Sequence, residues 1–280
     1  ELLDACFAVT GSFLWEIYVL SCDFRSTDND YIGFVFNWQD DQNMYMFYWS
    51  KEDGIRALVK WIDGNETILA QEDIPYVASQ WYNCNILSDN GNLVVAIDGE
   101  EIFSVVDNTY TSGKAGLYCW GNSSGYWDNF KVECAATETL TVPAGWSGIS
   151  TYLKPVSKNM ESVFNSVLSD LIILQNGGGI FWPGQNVNTL GAWNTHEGYQ
   201  IKAAEDFELI LSGTIDTNDS LQLETGWNLI PVLTPQSINI TELFNGIDLE
   251  LVKEVAGWKV YWPEFGIYTL GNLNPGSAYY

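Results

Sequence analysis

The chain has 280 residues and carries 36 Asp and Glu against 11 Lys and Arg, for a net charge of −25. That balance excludes a reader of nucleic-acid phosphates and a binder of anionic membrane surfaces, both of which depend on Lys and Arg. Thirteen Trp, fifteen Tyr and thirteen Phe exclude disorder and point to aromatic-rich β structure, to exposed ring platforms, or to both.

No stretch approaches the ~20 consecutive apolar residues that span a bilayer. The chain begins at Glu1 without a leader-like segment and stops at Ala278-Tyr279-Tyr280, which reads as mid-strand. The expectation is an excerpt of a longer exported protein, placed outside the cell or on its surface. There are five cysteines and no CxxC pair, which speaks against a zinc site or a thioredoxin-like motif. Cys22, Cys84 and Cys119 sit among apolar neighbours at strand spacing and read as small buried hydrophobes. A Cys6–Cys134 bridge would join the two ends of the first domain.

The predicted elements of the first half are short strands separated by turn signals. Leu14 to Arg25 is the first clear strand, with Tyr18, Leu20, Cys22 and Phe24 inward and Asp23 outward beside Arg25. The acidic stretch Thr27 to Asp30 leads into a hairpin of Tyr31–Trp38 and Met44–Trp49. Ile32, Phe34, Phe36 and Trp38 share one face, as do Tyr45, Phe47 and Trp49, the pattern of a half-buried antiparallel pair. Ile55–Ile62 and Glu66–Ala70 flank the turn Asp63-Gly64-Asn65. Trp81–Leu87 leads to the turn Asp89-Asn90-Gly91, after which Leu93, Val95 and Ile97 alternate. Ile102–Val106, Lys114–Trp120 and Trp127–Cys134 follow. Many short strands at this spacing imply a sandwich or barrel.

Three segments in order, DFRSTDNDYIGFVFNWQDDQNMYMFYW, QWYNCNILSDNGNLVVAIDGEEIF and GKAGLYCWGNSSGYWDNFKVE, resemble the laminin-G-like or concanavalin-A-like jelly roll, in the bacterial form related to the thrombospondin C-terminal domain. The resemblance covers residues 13 to 134. It implies two curved antiparallel sheets, often with calcium, in extracellular adhesion or glycan-binding proteins. It departs from the family at the N-terminus, where only thirteen residues precede Leu14, so that the first edge is either missing or rebuilt.

Residues 135 to 139 are small and polar and read as a linker. An internal repeat follows. Gly145-Trp146, Phe164, Phe181-Trp182-Pro183, Thr189-Leu190-Gly191 and Tyr199 recur as Gly226-Trp227, Phe244, Tyr261-Trp262-Pro263, Thr269-Leu270-Gly271 and Tyr279. The offset is 81 at the first Trp and 80 from Phe164 onward. Each copy has one helical stretch, with Met160, Val163, Phe164 and Val167 or Ile240, Leu243, Phe244 and Ile247 forming a buried face. Asn159 and Asn239 are the expected N-caps, with Glu161 and Glu242 in the first turn. The copies resemble a tandem module of bacterial surface proteins with a GWNLI opening, a resemblance that implies no activity. The expected architecture is thus mainly β: an antiparallel jelly-roll sandwich over 1–135, then two small α+β modules over 136–215 and 216–280.

Two sites are expected at the rim of the jelly roll. Asp28, Asn29, Asp30 and Asp128 are oxygen donors suited to calcium, which takes six to eight such ligands. The competing reading is an acidic turn whose side chains satisfy local backbone N–H groups. Trp120, Tyr126 and Trp127 flank the polar loop Gly121 to Gly125 and form a candidate sugar platform, with Asn122 and Asn129 able to bond hydroxyls; packing within the sandwich is the competing reading. No alternating acidic run of the glucanase type is present. The single histidine, His196, lies in a loop of the first repeat and has no histidine counterpart in the second, which speaks against triad or His-rich metal catalysis. Sequons at Asn65, Asn122, Asn218 and Asn239 say little without a glycosylating source. The functional expectation is a non-catalytic extracellular binding or adhesion fragment whose partner is a glycan or an extracellular protein, with calcium. The alternatives are an accessory module of a secreted polysaccharide-degrading enzyme and a purely structural stalk.

Overall fold

The computed structural model describes residues 5–280 and divides the chain into two compact units, 1–135 and 136–280. The first contains β1 (Ala5–Thr10), β2 (Ile17–Ser26), β3 (Tyr31–Asp40), β4 (Asn43–Ser50), β5 (Ile55–Ile62), β6 (Asn65–Glu72), β7 (Tyr82–Asp89), β8 (Asn92–Ile97), β9 (Glu100–Val106), β10 (Lys114–Trp120) and β11 (Gly125–Val142), the last running on into the second unit. One sheet has the order β1-β10-β3-β4-β5-β6, and the other contains β11-β2-β7-β8-β9, an interleaved antiparallel sandwich. The short edge strand β1 escapes the sequence pattern, yet it pairs with β10 and rebuilds the N-terminal edge within the first ten residues.

Hairpin geometry follows from turn chemistry. Asp63-Gly64 and Asn90-Gly91 have positive φ at both positions, the requirement of the type I′ turn that matches strand twist. Between the sheets, Tyr18, Leu20, Cys22 and Phe24 meet Ile32, Phe34, Phe36, Tyr45, Phe47 and Leu58 in one core. The β3–β4 hairpin is not half buried as its alternation predicts. Val35, Met44, Met46, Tyr48, Ala57, Val59 and Tyr118, on the outer face of the first sheet, are buried as well. The bulge at Asn37 turns Trp38, expected on the Phe36 face, to this outer face, where its ring and those of Phe7, Tyr31 and Trp61 pack over these side chains.

Two polar features hold the sandwich together. Asn37 is fully buried at φ 45°, where β3 bulges. Its N–H donates to Tyr18 Oη at 2.9 Å, its Oδ1 accepts from Tyr18 at 2.8 Å, and its Nδ2 donates to Ser88 Oγ at 2.9 Å and to the Tyr110 carbonyl at 2.8 Å. The second feature is Asp107, just after β9. It accepts from Lys60 of β5 at 2.6 Å, from Tyr45 of β4 at 2.6 Å and from the Thr109 N–H at 2.9 Å. Burial by itself would raise the Asp107 pKa, but the hydrogen bonds from Lys60, Thr109 and Tyr45 outweigh it and hold the carboxyl well below its ordinary range.

All five cysteines are free thiols. The Cys6–Cys134 bridge is not formed, because β1 pairs with β10 and sets Cys6 opposite Cys119, while Cys134 lies opposite Tyr18. Burial pushes the Cys22 thiol up to about 12, as expected of a small core hydrophobe.

The second unit contains β12 (Gly145–Ile149), β13 (Leu153–Pro155), α1 (Met160–Val163), β14 (Leu171–Asn176), β15 (Gly179–Trp182), β16 (Val187–Asn188), β17 (Tyr199–Ala203) and β18 (Phe207–Ile215), then β19 (Ile238–Asn239), α2 (Ile240–Leu243), β20 (Val252–Lys253), β21 (Val260–Trp262), β22 (Ile267–Tyr268) and β23 (Asn272–Leu273). Both helices are a single turn, with Asn159 and Asn239 accepting the N-cap hydrogen bonds from the next turn. Each copy has its own core. Ser150, fully buried, ties the copies together by accepting from Val232 N–H at 3.0 Å and donating to the Ser277 carbonyl at 2.6 Å.

Replacing Asn37 by Ala leaves several buried polar groups without partners and should cost about 3 kcal/mol in urea unfolding. A carboxyl with a depressed folded-state pKa contributes stability that is complete above its unfolded value, near 4, and lost as pH falls through the folded value. Asp107→Asn should therefore destabilise the protein at pH 7, with the gap to wild type narrowing as melting is repeated toward pH 2.

Candidate functional site

The alternation that buries Tyr18, Leu20, Cys22 and Phe24 of β2 turns Asp23 and Arg25 to the outer face of the second sheet. Antiparallel register sets Asp128 of β11 opposite Asp23 and Tyr126 opposite Arg25, and on the other side it sets Asn83 of β7 opposite Asp23. A register shift between Asp128 and Lys131, with Asn129 at φ 55°, turns Asp128 and Asn129 outward in succession. Trp81, one residue before β7, completes the group.

The result is a cleft of about 500 Å³ lined by Asp23, Trp81, Tyr82, Asn83, Asp98 and Asp128. Like charges directly opposite on neighbouring strands are destabilising, and Asp23 and Asp128 are such a pair. Two amides moderate the cost: Asn83 and Asn129 donate to the two Asp23 oxygens at 2.8 and 2.7 Å. Asn85 donates to Asn83 Oδ1 at 2.6 Å, and the Asn83 N–H donates to Asp98 at 2.8 Å. Asp128 Oδ1 accepts the Asn129 N–H, whereas its Oδ2 has no hydrogen-bond partner among the described residues. At one end the Arg25 guanidinium lies 5.0 Å from the Trp81 ring and 4.6 Å from the Tyr126 ring. Its Nε is buried with no hydrogen-bond partner among the described residues. The two rings remain 46% and 45% exposed. Apolar ring faces beside amide donors and carboxylate acceptors can hold a polyhydroxylated ligand.

The predicted platform of Trp120, Tyr126 and Trp127 is not one surface. The loop after β10 crosses from the first sheet to the second. Trp120 therefore stands on the outer face of the first sheet, edge-on to Tyr31 at 5.4 Å. Trp127, opposite Phe24, turns inward against the core, and Tyr126 alone stands at the end of the cleft, against Arg25. Asn129 also joins it, whereas Asn122 braces the loop by donating to Ser26 Oγ at 2.9 Å.

The predicted metal quartet is likewise divided. Asp128 belongs to the cleft, while Asp28, Asn29 and Asp30 stay in the β2–β3 loop. Asp28 Oδ2 accepts from the Ser123 hydroxyl at 2.6 Å and from the Ser123 N–H at 2.8 Å, and its Oδ1 accepts from the Asn29 N–H at 2.9 Å. These bonds, from the Ser123 hydroxyl first, lower its pKa. Tyr76 donates to the carbonyls of Asp28 and Asp30 at 3.0 and 2.8 Å. The Asp28 carboxylate and the Asp28 and Asp30 carbonyls are thus engaged in tying loops together. Among the described residues no group of three or more His, Cys, Asp or Glu side chains is arranged to hold a metal ion.

His196 is tied to the residues around its loop. Its Nε2 is 3.0 Å from the Asn218 carbonyl, and its Nδ1 is 3.7 Å from buried Asp216, which Lys154 also meets at 2.8 Å. Sequence reasoning left out Trp81, Asn83 and Asp98 as functional residues and assigned no binding role to Asp23 or Arg25. The signal was present in the period-two rows Asp23/Arg25 and Trp81/Asn83/Asn85, but cross-strand register is what joins the rows.

No family model matches this chain, and no curated protein sequence matches it. Among solved structures, it is similar to a carbohydrate-binding module, CBM66 from Bacillus subtilis, at 15% identity and a TM-score of 0.42 over 46% of this chain and 82% of that one. It is similar to sheep galectin-11, solved in complex with glycerol, at 12% identity and a TM-score of 0.34 over 46% of this chain and all of that one. An ancestral congerin aligns at 10% identity with a TM-score of 0.37, over 46% of this chain and 99% of that one. At these scores the description of the fold rests on the strand order of the first unit itself.

Proposed function

We propose that the first unit is a non-catalytic glycan-binding module and that its site is the cleft on the outer face of the second sheet. The observation that carries this reading is Arg25, held between two half-exposed rings at the end of a row of carboxylates and amides. Its guanidinium spends no donor on a carboxylate among the described residues. Trp81 and Tyr126 offer ring faces to the C–H face of a sugar, Asp128 offers a free acceptor oxygen, and Asn83, Asn129 and Arg25 offer donors to its hydroxyls. A comb of several moderate contacts on a rigid sheet suits recognition of a sugar without bond-making chemistry. The setting we infer is extracellular, either in attachment or beside a polysaccharide-degrading domain, with the repeats as accessory modules. No helix among the described residues is long and apolar enough to cross a membrane.

A glycan array probed with the full chain tests the reading. Binding should appear for at least one class of neutral or acidic polysaccharide, and Trp81→Ala and Asp128→Asn should each weaken it by about tenfold or more, with Trp120→Ala without effect. Silence across plant, algal, microbial and host glycans would leave a structural role as the better account.

Calcium is tested separately. Asp28→Asn is expected to lower the melting midpoint by the same amount in calcium and in chelator, because the carboxylate acts on Ser123 and Asn29. A wild-type midpoint that rises with calcium and a variant that does not respond would place a calcium ion at this loop.

A further inference from the structure

Residues 136 to 280 contain six basic side chains, and three of them, Lys154, Lys158 and His196, line one pocket of the first repeat. The pocket measures about 210 Å³, and Trp193, Asp216 and Asn218 share its walls. Main-chain carbonyls hold those walls in place. The Asp216 N–H donates to the Tyr152 carbonyl at 3.1 Å, the Trp193 N–H to the Lys158 carbonyl at 2.7 Å, and the Thr195 hydroxyl to the Leu153 carbonyl at 3.0 Å. Buried Asp216 pairs with Lys154 at 2.8 Å, accepts the Asn218 N–H at 3.0 Å, and lies 3.7 Å from His196 Nδ1. Burial by itself would raise the Asp216 pKa, but the hydrogen bonds from Lys154 and the Asn218 N–H outweigh it and lower it. One carboxylate thus offsets one of the three basic side chains. Lys158 is exposed and has no ion pair among the described residues. Trp193 is 3% exposed, and its Nε1 has no acceptor among the described residues.

The repeat fold does not require these side chains. At the 80-residue offset the second repeat has Thr234, Ile238, Leu273 and Gly276 in place of Lys154, Lys158, Trp193 and His196. It nevertheless keeps the asparagine cap, and its Asn274 N–H donates to Tyr279 Oη at 3.0 Å as the Asn194 N–H donates to Tyr199 Oη at 2.9 Å. We infer that the pocket is a binding site for a single oxyanion group, a carboxylate or a sulfate, on a small acidic ligand. Lys154 and Lys158 supply compact positive charges of the kind that hold oxyanions. Asn218 Nδ2, which has no acceptor among the described residues, supplies a neutral donor. Asp216 acts as a positioning residue that holds Lys154 and His196 at the wall. The net charge of −25 repels anions from the molecule at large, so an anion retained here is selected by the local sign of the pocket. The inference is independent of the glycan reading, since it concerns a pocket of the second unit only.

The chain has one histidine, so its imidazole Cε1–H resonance reports on this pocket alone. The full chain is titrated at fixed pH with sodium sulfate and, separately, with sodium glucuronate, with ionic strength held constant by sodium chloride. A saturable shift of that resonance is expected with at least one of the two, and none with glucose or with sodium chloride alone. A response to sulfate only assigns a tetrahedral group, and a response to glucuronate only assigns a planar one. Lys158→Gln changes an exposed side chain and should fold as wild type by circular dichroism, yet raise the Kd by about tenfold or more. Lys158→Arg should keep most of the affinity, and Lys259→Gln, the same change of charge in the second repeat, should keep all of it. No saturable shift with either salt, an equal shift with sodium chloride, or undiminished binding by Lys158→Gln would overturn the proposal.

Discussion

The inward row of β2 is the constraint on which the first unit depends. Tyr18, Leu20, Cys22 and Phe24 are each at most 2% exposed, so the strand cannot slip by one residue without exchanging its whole core face for Asp23 and Arg25. Once that register holds, β7 and β11 on either side are placed by backbone hydrogen bonding alone. The outward residues of three strands then converge whether or not their charges agree. The Asp23–Asp128 pair is the local cost of this arrangement, and Asn83 and Asn129 moderate it.

The acidic residues divide by what surrounds them. Asp107 is drawn into a clasp between the sheets, where Lys60 and Tyr45 make its ionised form the favoured one. Asp28 connects the β2–β3 loop to the β10–β11 loop through Ser123. Asp23, Asp98 and Asp128 face the cleft. One residue type thus clamps sheets, braces loops and offers acceptors, and only the available donors separate the three roles.

In the second unit the same eighty-residue pattern reaches two degrees of burial. Met160 and Ile240 are equally sequestered, and both asparagine caps form, because those features depend on contacts within one helical turn and its immediate neighbours. Val167 is buried in a core that β18, forty residues later in sequence, helps to form, whereas Ile247 is 50% exposed.

Much of this protein was legible locally. Strand periodicity, the Asp-Gly and Asn-Gly turns, the repeat and its caps all depend on residues a few positions apart, so the sequence by itself determined a mainly β sandwich followed by a second unit that repeats one pattern. It also determined that Asp23 and Arg25 face away from the core. Tertiary structure alone decided which outward residues meet, because register between β2, β7 and β11 is set by pairing across sixty to a hundred residues. It likewise decided that Trp120, Tyr126 and Trp127, neighbours in sequence, fall on two outer faces and in a core, since the chain changes sheets between them. Alternation tells a side chain which face of its own strand to take. Only the packing of distant strands tells it what it will find there.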